Sequence, residues 1–207
     1  MQKFESRKAN IPLRRYTDHA VAPSILPHAD QGAALGVVFH RLLQTIKLER
    51  DAFVWMDFND RATGDAAILV GITQILLTLG TGASLLDLIN PVTFIQILIA
   101  GAFFWLLYSG ATFAIVRFIF DGHGGFPIFL RIAGFAFPTL LLLIFANFIS
   151  DNFLLVLVIG AGWFVLIMAR GITYIADLNR SKAFTAAIGG YAAVVIIQSI
   201  LSGFRLF

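Results

Sequence analysis

The sequence predicts an all-α polytopic integral membrane protein, with five transmembrane helices preceded by an amphipathic interfacial helix. Three observations carry that prediction. Of 207 residues 58% are hydrophobic and 13% charged, where a soluble domain has roughly 25% charged. Five windows of about 20 apolar residues recur, each long enough to cross a hydrocarbon core of about 30 Å. Lys and Arg fall on alternate connections between those windows.

Residues 1–32 combine Pro12, Pro23 and Pro27 with mixed charge and read as an extended cytoplasmic arm. No apolar h-region follows its charges, so it does not resemble a cleaved signal. An arm of this kind does not fold alone, and a partner surface is one candidate for holding it still. Residues 33–56 hold an amphipathic helix, with Leu35, Val38, Phe39, Leu42, Leu43 and Ile46 on one face. His40, Arg41, Gln44 and Lys47 lie elsewhere on the wheel. Two placements fit: in the membrane interface with cations near lipid phosphates, or packed on the protein's own spans.

Residues 57–207 form the five-span domain. The expected spans are Ala66 to Leu86, Val92 to Phe120, Ile132 to Ile149, Phe153 to Ala169 and Ala183 to Ser202. Nine cations precede the first span. The Asp87 to Pro91 connection has none, Arg117 and Arg131 flank the next, and the turn at Asp151 has none. Arg170, Arg180 and Lys182 flank the next connection, and Arg205 follows the last span. The positive-inside rule then places the N-terminus in the cytoplasm and the C-terminus on the opposite side.

The stretch DFNDRATGD, Asp57 to Asp65, gathers charge just ahead of the first span. Helix-start N–H groups lack partners and the dipole is positive there, so Asp60 as N-cap and Asp65 in the second turn would stabilise the insertion point. Arg61 would hold that end on the cytoplasmic side. No ionisable residue lies mid-span, which argues against a proton-coupled transporter or an intramembrane enzyme. Arg170, at the end of the fourth span, reads as a snorkelling orientation anchor, an ion-pair partner of Asp177, or a ligand for an anionic headgroup.

Gln74, Gln96, Asn147 and Gln198 read as interhelical hydrogen-bonding groups. DGHGG, Asp121 to Gly125, lacks the further ligands a zinc site needs and reads as a turn. No phosphate loop, nucleophile elbow or zinc helix motif occurs, and no cofactor is expected. The absence of cysteine excludes disulfides and thiolate metal sites. A net charge of +3 without a dense basic stripe gives no reason to expect nucleic acid. Small residues at helical spacing, Gly110 with Ala114 and Ala186 with Gly190, fit close packing within the chain or against another subunit. Pro138 should bend the third span, with Thr139 or water meeting the freed carbonyl.

The segments LERDAFVWMDFNDRATGDAAILV, GHGGFPIFLRIAGFAFPTLLLLI and VIGAGWFVLIMARGITYIADLNRSKAFTAAI occur in an order that resembles the Yip family, membrane proteins named for interaction with Ypt/Rab-type GTPases. The resemblance covers roughly residues 38–203 and is nearest to short prokaryotic members. Arg61 stands where the family often has proline. The resemblance implies five spans and a cytoplasmic N-terminus. It leads to the expectation of a non-enzymatic organiser or accessory subunit, contacting membrane lipids and a protein partner or larger complex through residues 1–46. The alternative expectation is a small-solute or lipid transporter or channel.

Overall fold

A computed structural model describes residues 35–147 and 153–203. The arm over residues 1–32 and Arg205 lie outside the described residues. Within the described residues the helices are α1 (Leu35–Ile46), α2 (Arg50–Phe58), α3 (Ala62–Gly80), α4 (Leu85–Ile89), α5 (Pro91–Ala114), α6 (Phe126–Ala136), α7 (Phe153–Ile175) and α8 (Arg180–Gly203). A π-helical turn, Ile115–Ile119, continues α5, and a 3-10 helix, Phe137–Asn147, continues α6. Five stretches are long and apolar enough to cross a membrane: Ala62–Gly80, Pro91–Ile119, Phe126–Phe145, Val158–Ile175 and Arg180–Leu201. The protein is an all-α integral membrane protein in which an amphipathic helix precedes five spans.

Local chemistry sets the boundaries. The first span ends at Gly80 rather than Leu86 because Gly82 adopts φ +102°. That conformation closes a Schellman motif, with Ala83 N–H donating to Thr78 O at 3.2 Å and Gly82 N–H to Leu79 O at 3.1 Å. At the start of α5, Asn90 accepts from Val92 N–H at 3.0 Å and Pro91 occupies the first turn. The third span begins at Phe126, more than a turn ahead of the expected Ile132, so Arg131 lies inside it and not on its flank. At Pro138 the missing N–H ends the α-helical ladder and the backbone tightens into the 3-10 helix. Thr139 Oγ1 donates to Ala136 O at 2.7 Å.

The third span is the centre of the bundle. Its apolar window is 67% buried, against 22% for the first and fifth spans. The helices α3, α5 and α7 surround α6 and its 3-10 extension, while α8 packs on α5 and α7. Lipid tails are as apolar as leucine, so close van der Waals fit and interhelical hydrogen bonds hold these helices together. A Cβ on Gly134 would collide with Ala66, and one on Gly190 would collide with Thr112. Ala183, Ala186 and Ala187 are fully buried, whereas Gly110 and Ala114 are half-buried. Phe104, Tyr108, Phe137 and Phe164 form an aromatic knot, its nearest pair, Tyr108 and Phe164, 4.8 Å apart. Trp105 Nε1 donates to Leu130 O at 2.8 Å, and the Tyr108 hydroxyl to Ala187 O at 3.1 Å.

One end of the bundle gathers the starts of α3, α6 and α8 with the ends of α5 and α7. There His123 N–H reaches Ala176 O at 3.4 Å. At the other end Gly80 meets Ile144. The 29 residues of the second span, about 43 Å at 1.5 Å per residue, separate Ser84 from His123. Because the chain lacks cysteine, Ser84→Cys and His123→Cys give clean labelling sites. A membrane-impermeant maleimide should reach them from opposite faces of sealed vesicles. Gly134→Leu, which forces α3 from α6, should cost about 1–3 kcal/mol of stability and so lower the melting temperature in detergent. Gly162→Ala, with open space around it, should melt close to wild type.

Candidate functional site

The charged end of the bundle carries most of the polar chemistry among the described residues, and α2 is its lid. Ala52, Phe53 and Met56 of α2 are fully buried against α6 and α7. Phe53 meets Tyr174 with ring centroids 5.8 Å apart, and Trp55 meets Phe135 edge-on at 5.8 Å. A nine-residue helix ends after two and a half turns, leaving its last carbonyls without helical partners.

Arg131 reaches those carbonyls from inside the third span. Its side chain is 7% exposed. Nη1 donates to Met56 O at 2.8 Å and Asp57 O at 3.4 Å, Nε to Thr63 Oγ1 at 2.8 Å, and Nη2 to Asp60 Oδ1 at 2.6 Å. A guanidinium suits this task because its planar fork aims several donors at once, and a cation is favoured at a helix C-terminus. Arg131 thus fastens the end of α2 and the start of α3 to the central helix.

Asp60 was expected to cap α3. It instead takes the guanidinium of Arg131, and the Asn59 side chain accepts the Arg61 N–H at 3.1 Å. Arg61 occupies the cap position with helical backbone angles and makes no side-chain cap bond. Asp65 sits in the first turn of α3, and its Oδ2 is buried without a hydrogen-bond partner.

The apolar face of α1 is divided. Leu42 is buried, and Val38 and Ile46 pack on the core. Leu35 is 85% and Phe39 61% exposed, and Leu43 is exposed beside them. The helix is anchored at both levels of its length. The Arg41 guanidinium lies 5.4 Å from the Trp55 ring and donates to Gln44 at 2.8 Å. Burial pushes its pKa below the usual value, with Asp51 pulling it back up. Trp163 Nε1 donates to Ile46 O at 3.3 Å, joining the end of α1 to α7.

Beside that junction lies an open groove of about 490 Å³, lined by Lys47, Leu48, Leu166, Ala169, Arg170, Thr173, Arg180 and Phe184. The Arg170 guanidinium stands 4.6 Å from the centroid of the Tyr174 ring. Among the described residues Arg170 makes no ion pair with Asp177, whose backbone takes φ +54° in the turn after α7. The sequence singles out Arg170, whereas Lys47 reads as part of the polar side of the amphipathic helix and Arg180 as flanking charge. Arg131 was likewise counted as flanking charge. Its signal was its position five residues beyond Phe126 in an apolar stretch.

Gln74 packs on Gly101 between α3 and α5, while Gln96 and Gln198 are exposed. Among the described residues no group of three His, Asp or Glu side chains gathers to hold a metal. The chain matches no protein-family model, no curated protein and no solved structure.

Arg131→Leu leaves Met56 O and Thr63 Oγ1 without their donor, at about 1–3 kcal/mol for each group left unpaired. Limited proteolysis should then cut between α2 and α3, where the wild type resists. Arg131→Lys should recover little, because an ammonium lacks the fork. Asp60→Asn should resist cleavage like the wild type, since the Asp60 side chain is 99% exposed.

Proposed function

We propose that the protein is a non-enzymatic membrane organiser or accessory subunit of the Yip type, with α1 and α2 as its working surface. The observation that carries this reading is a shelf of apolar side chains, outside the spans, held in a fixed place. Leu35, Phe39 and Phe58 are 85%, 61% and 84% exposed, yet the helices bearing them are fastened through Arg131, Trp55 and Trp163. Exposed apolar residues on a span face lipid and need no further account. On helices ahead of the spans they mark a surface for another protein or for the bilayer boundary.

The arm over residues 1–32 precedes this shelf directly, so a partner seated on α1 also meets the arm. The alternate placement of cations supports a cytoplasmic N-terminus with the C-terminus opposite, and the resemblance to short prokaryotic members points to a bacterial inner membrane. The shelf then faces the cytoplasm. Gln74 packed on Gly101 between α3 and α5, with Gln96 and Gln198 exposed, favours this reading over a conduit for solutes.

A photo-crosslinking amino acid at Phe39, activated in intact membranes, should yield one discrete protein adduct. The same group at Ile188, on the exposed side of α8, should yield lipid adducts only. Deleting residues 1–32 should weaken the Phe39 adduct and leave the spans folded. Lipid adducts alone at Phe39, or solute flux in reconstituted vesicles that Gln74→Leu abolishes, would overturn the organiser reading.

A further inference from the structure

The groove between α1, α7 and α8 brings together three cations, Lys47, Arg170 and Arg180. No carboxylate lines it, and among the described residues none of the three makes an ion pair. Lys47 and Arg180 are exposed and Arg170 half-buried, so an anion entering the groove meets three cations and no competing carboxylate. Arg170 is half-buried and its guanidinium lies over the Tyr174 ring, 4.6 Å from the centroid, a contact with the ring face that uses none of its N–H donors. Thr173 already donates its hydroxyl to Ala169 O at 2.9 Å, so the cations supply the donors.

Depth and wall chemistry narrow the anion. Arg170 lies five residues before the end of α7 at Ile175, about 7.5 Å along the helix axis. A cation at that distance from the end of a span is within snorkelling reach of lipid headgroups. The walls below and beside the cations are Leu48, Leu166, Ala169 and Phe184, and Leu166 and Phe184 are 36% and 45% exposed. A small soluble anion has no use for such walls, whereas a lipid brings both a phosphate and a chain. Basic pockets at helix ends recognise anionic headgroups on the same principle.

We propose that this groove is a binding site for an anionic phospholipid, its phosphodiester taken by Lys47, Arg170 and Arg180 and an acyl chain laid along Leu166 and Phe184. The site stands on the groove alone and does not depend on the organiser reading. Native mass spectrometry of the full chain released from mixed phosphatidylglycerol and phosphatidylcholine nanodiscs tests it. The wild type should retain phosphatidylglycerol in preference to phosphatidylcholine. Arg170→Gln with Arg180→Gln should weaken that retention about tenfold or more. Lys182→Gln, which removes a cation outside the groove, should not.

Equal retention of the two lipids by the wild type would overturn the proposal without recourse to any variant. So would an unchanged preference in a double variant whose helical circular dichroism matches wild type. Glycerol 3-phosphate supplies the soluble arm of the test. Displacement of phosphatidylglycerol by it at comparable concentration would assign the groove to a free phosphate ester instead of a lipid.

Discussion

A guanidinium buried near one end of the central helix determines how the rest of the molecule is arranged. Arg131 belongs to the most buried span, and placing a cation in a bilayer-spanning helix costs about 2.5–3.5 kcal/mol at mid-membrane. The cost is met by four acceptors drawn from α2, the following turn and α3. The Asp60 carboxylate contributes least of these, because solvent surrounds it. The Met56 carbonyl contributes more, because a buried carbonyl at a helix end must be paired by something. The arginine therefore functions less as a charge than as a set of directed donors, and this fixes α2 across the end of the bundle.

With α2 in place, the remaining architecture follows from packing without a hydrophobic driving force. Helices in lipid gain from contact only where their surfaces approach closely. Gly134 against Ala66 and Gly190 against Thr112 provide that approach on opposite sides of the bundle. Between them the rings of Phe104, Tyr108, Phe137 and Phe164 fill the space that the 3-10 segment leaves as it narrows past Pro138. Buried Trp and Tyr donors reach backbone carbonyls of neighbouring helices, so the polar ends of these large side chains are satisfied within the bundle.

The five spans were legible in the sequence because length and apolar composition are averages over 20 positions, which single residues do not disturb. Their ends were less legible. The first span stops six residues early because one glycine adopts a left-handed conformation, a property of Gly82 in its turn and not of hydropathy. The role of Arg131 was hidden for a related reason. A charge count assigns every cation to a connection, and only a long-range contact to Asp60, 71 positions away, reveals one working inside a helix. Arg170 could be singled out because it ends an apolar run. Its neighbours in the groove could not, since Lys47 and Arg180 reach it only after α1 folds back on α7.

That folding back joins the two features at the charged end. Leu48 lines the groove and holds φ +62° in the turn between α1 and α2, a left-handed conformation costing a residue with a Cβ about 1–2 kcal/mol. Such strain persists only where surrounding contacts enforce it. On one side of the turn Trp163 holds Ile46, and on the other Arg131 holds the end of α2. The turn is thus stretched between two anchors on different spans, with Lys47 at its edge. An anion seated among Lys47, Arg170 and Arg180 bridges α1 to α7 and α8 at this strained point. Lys47 follows α1 directly, so an anion held there touches the end of the helix that carries the exposed face.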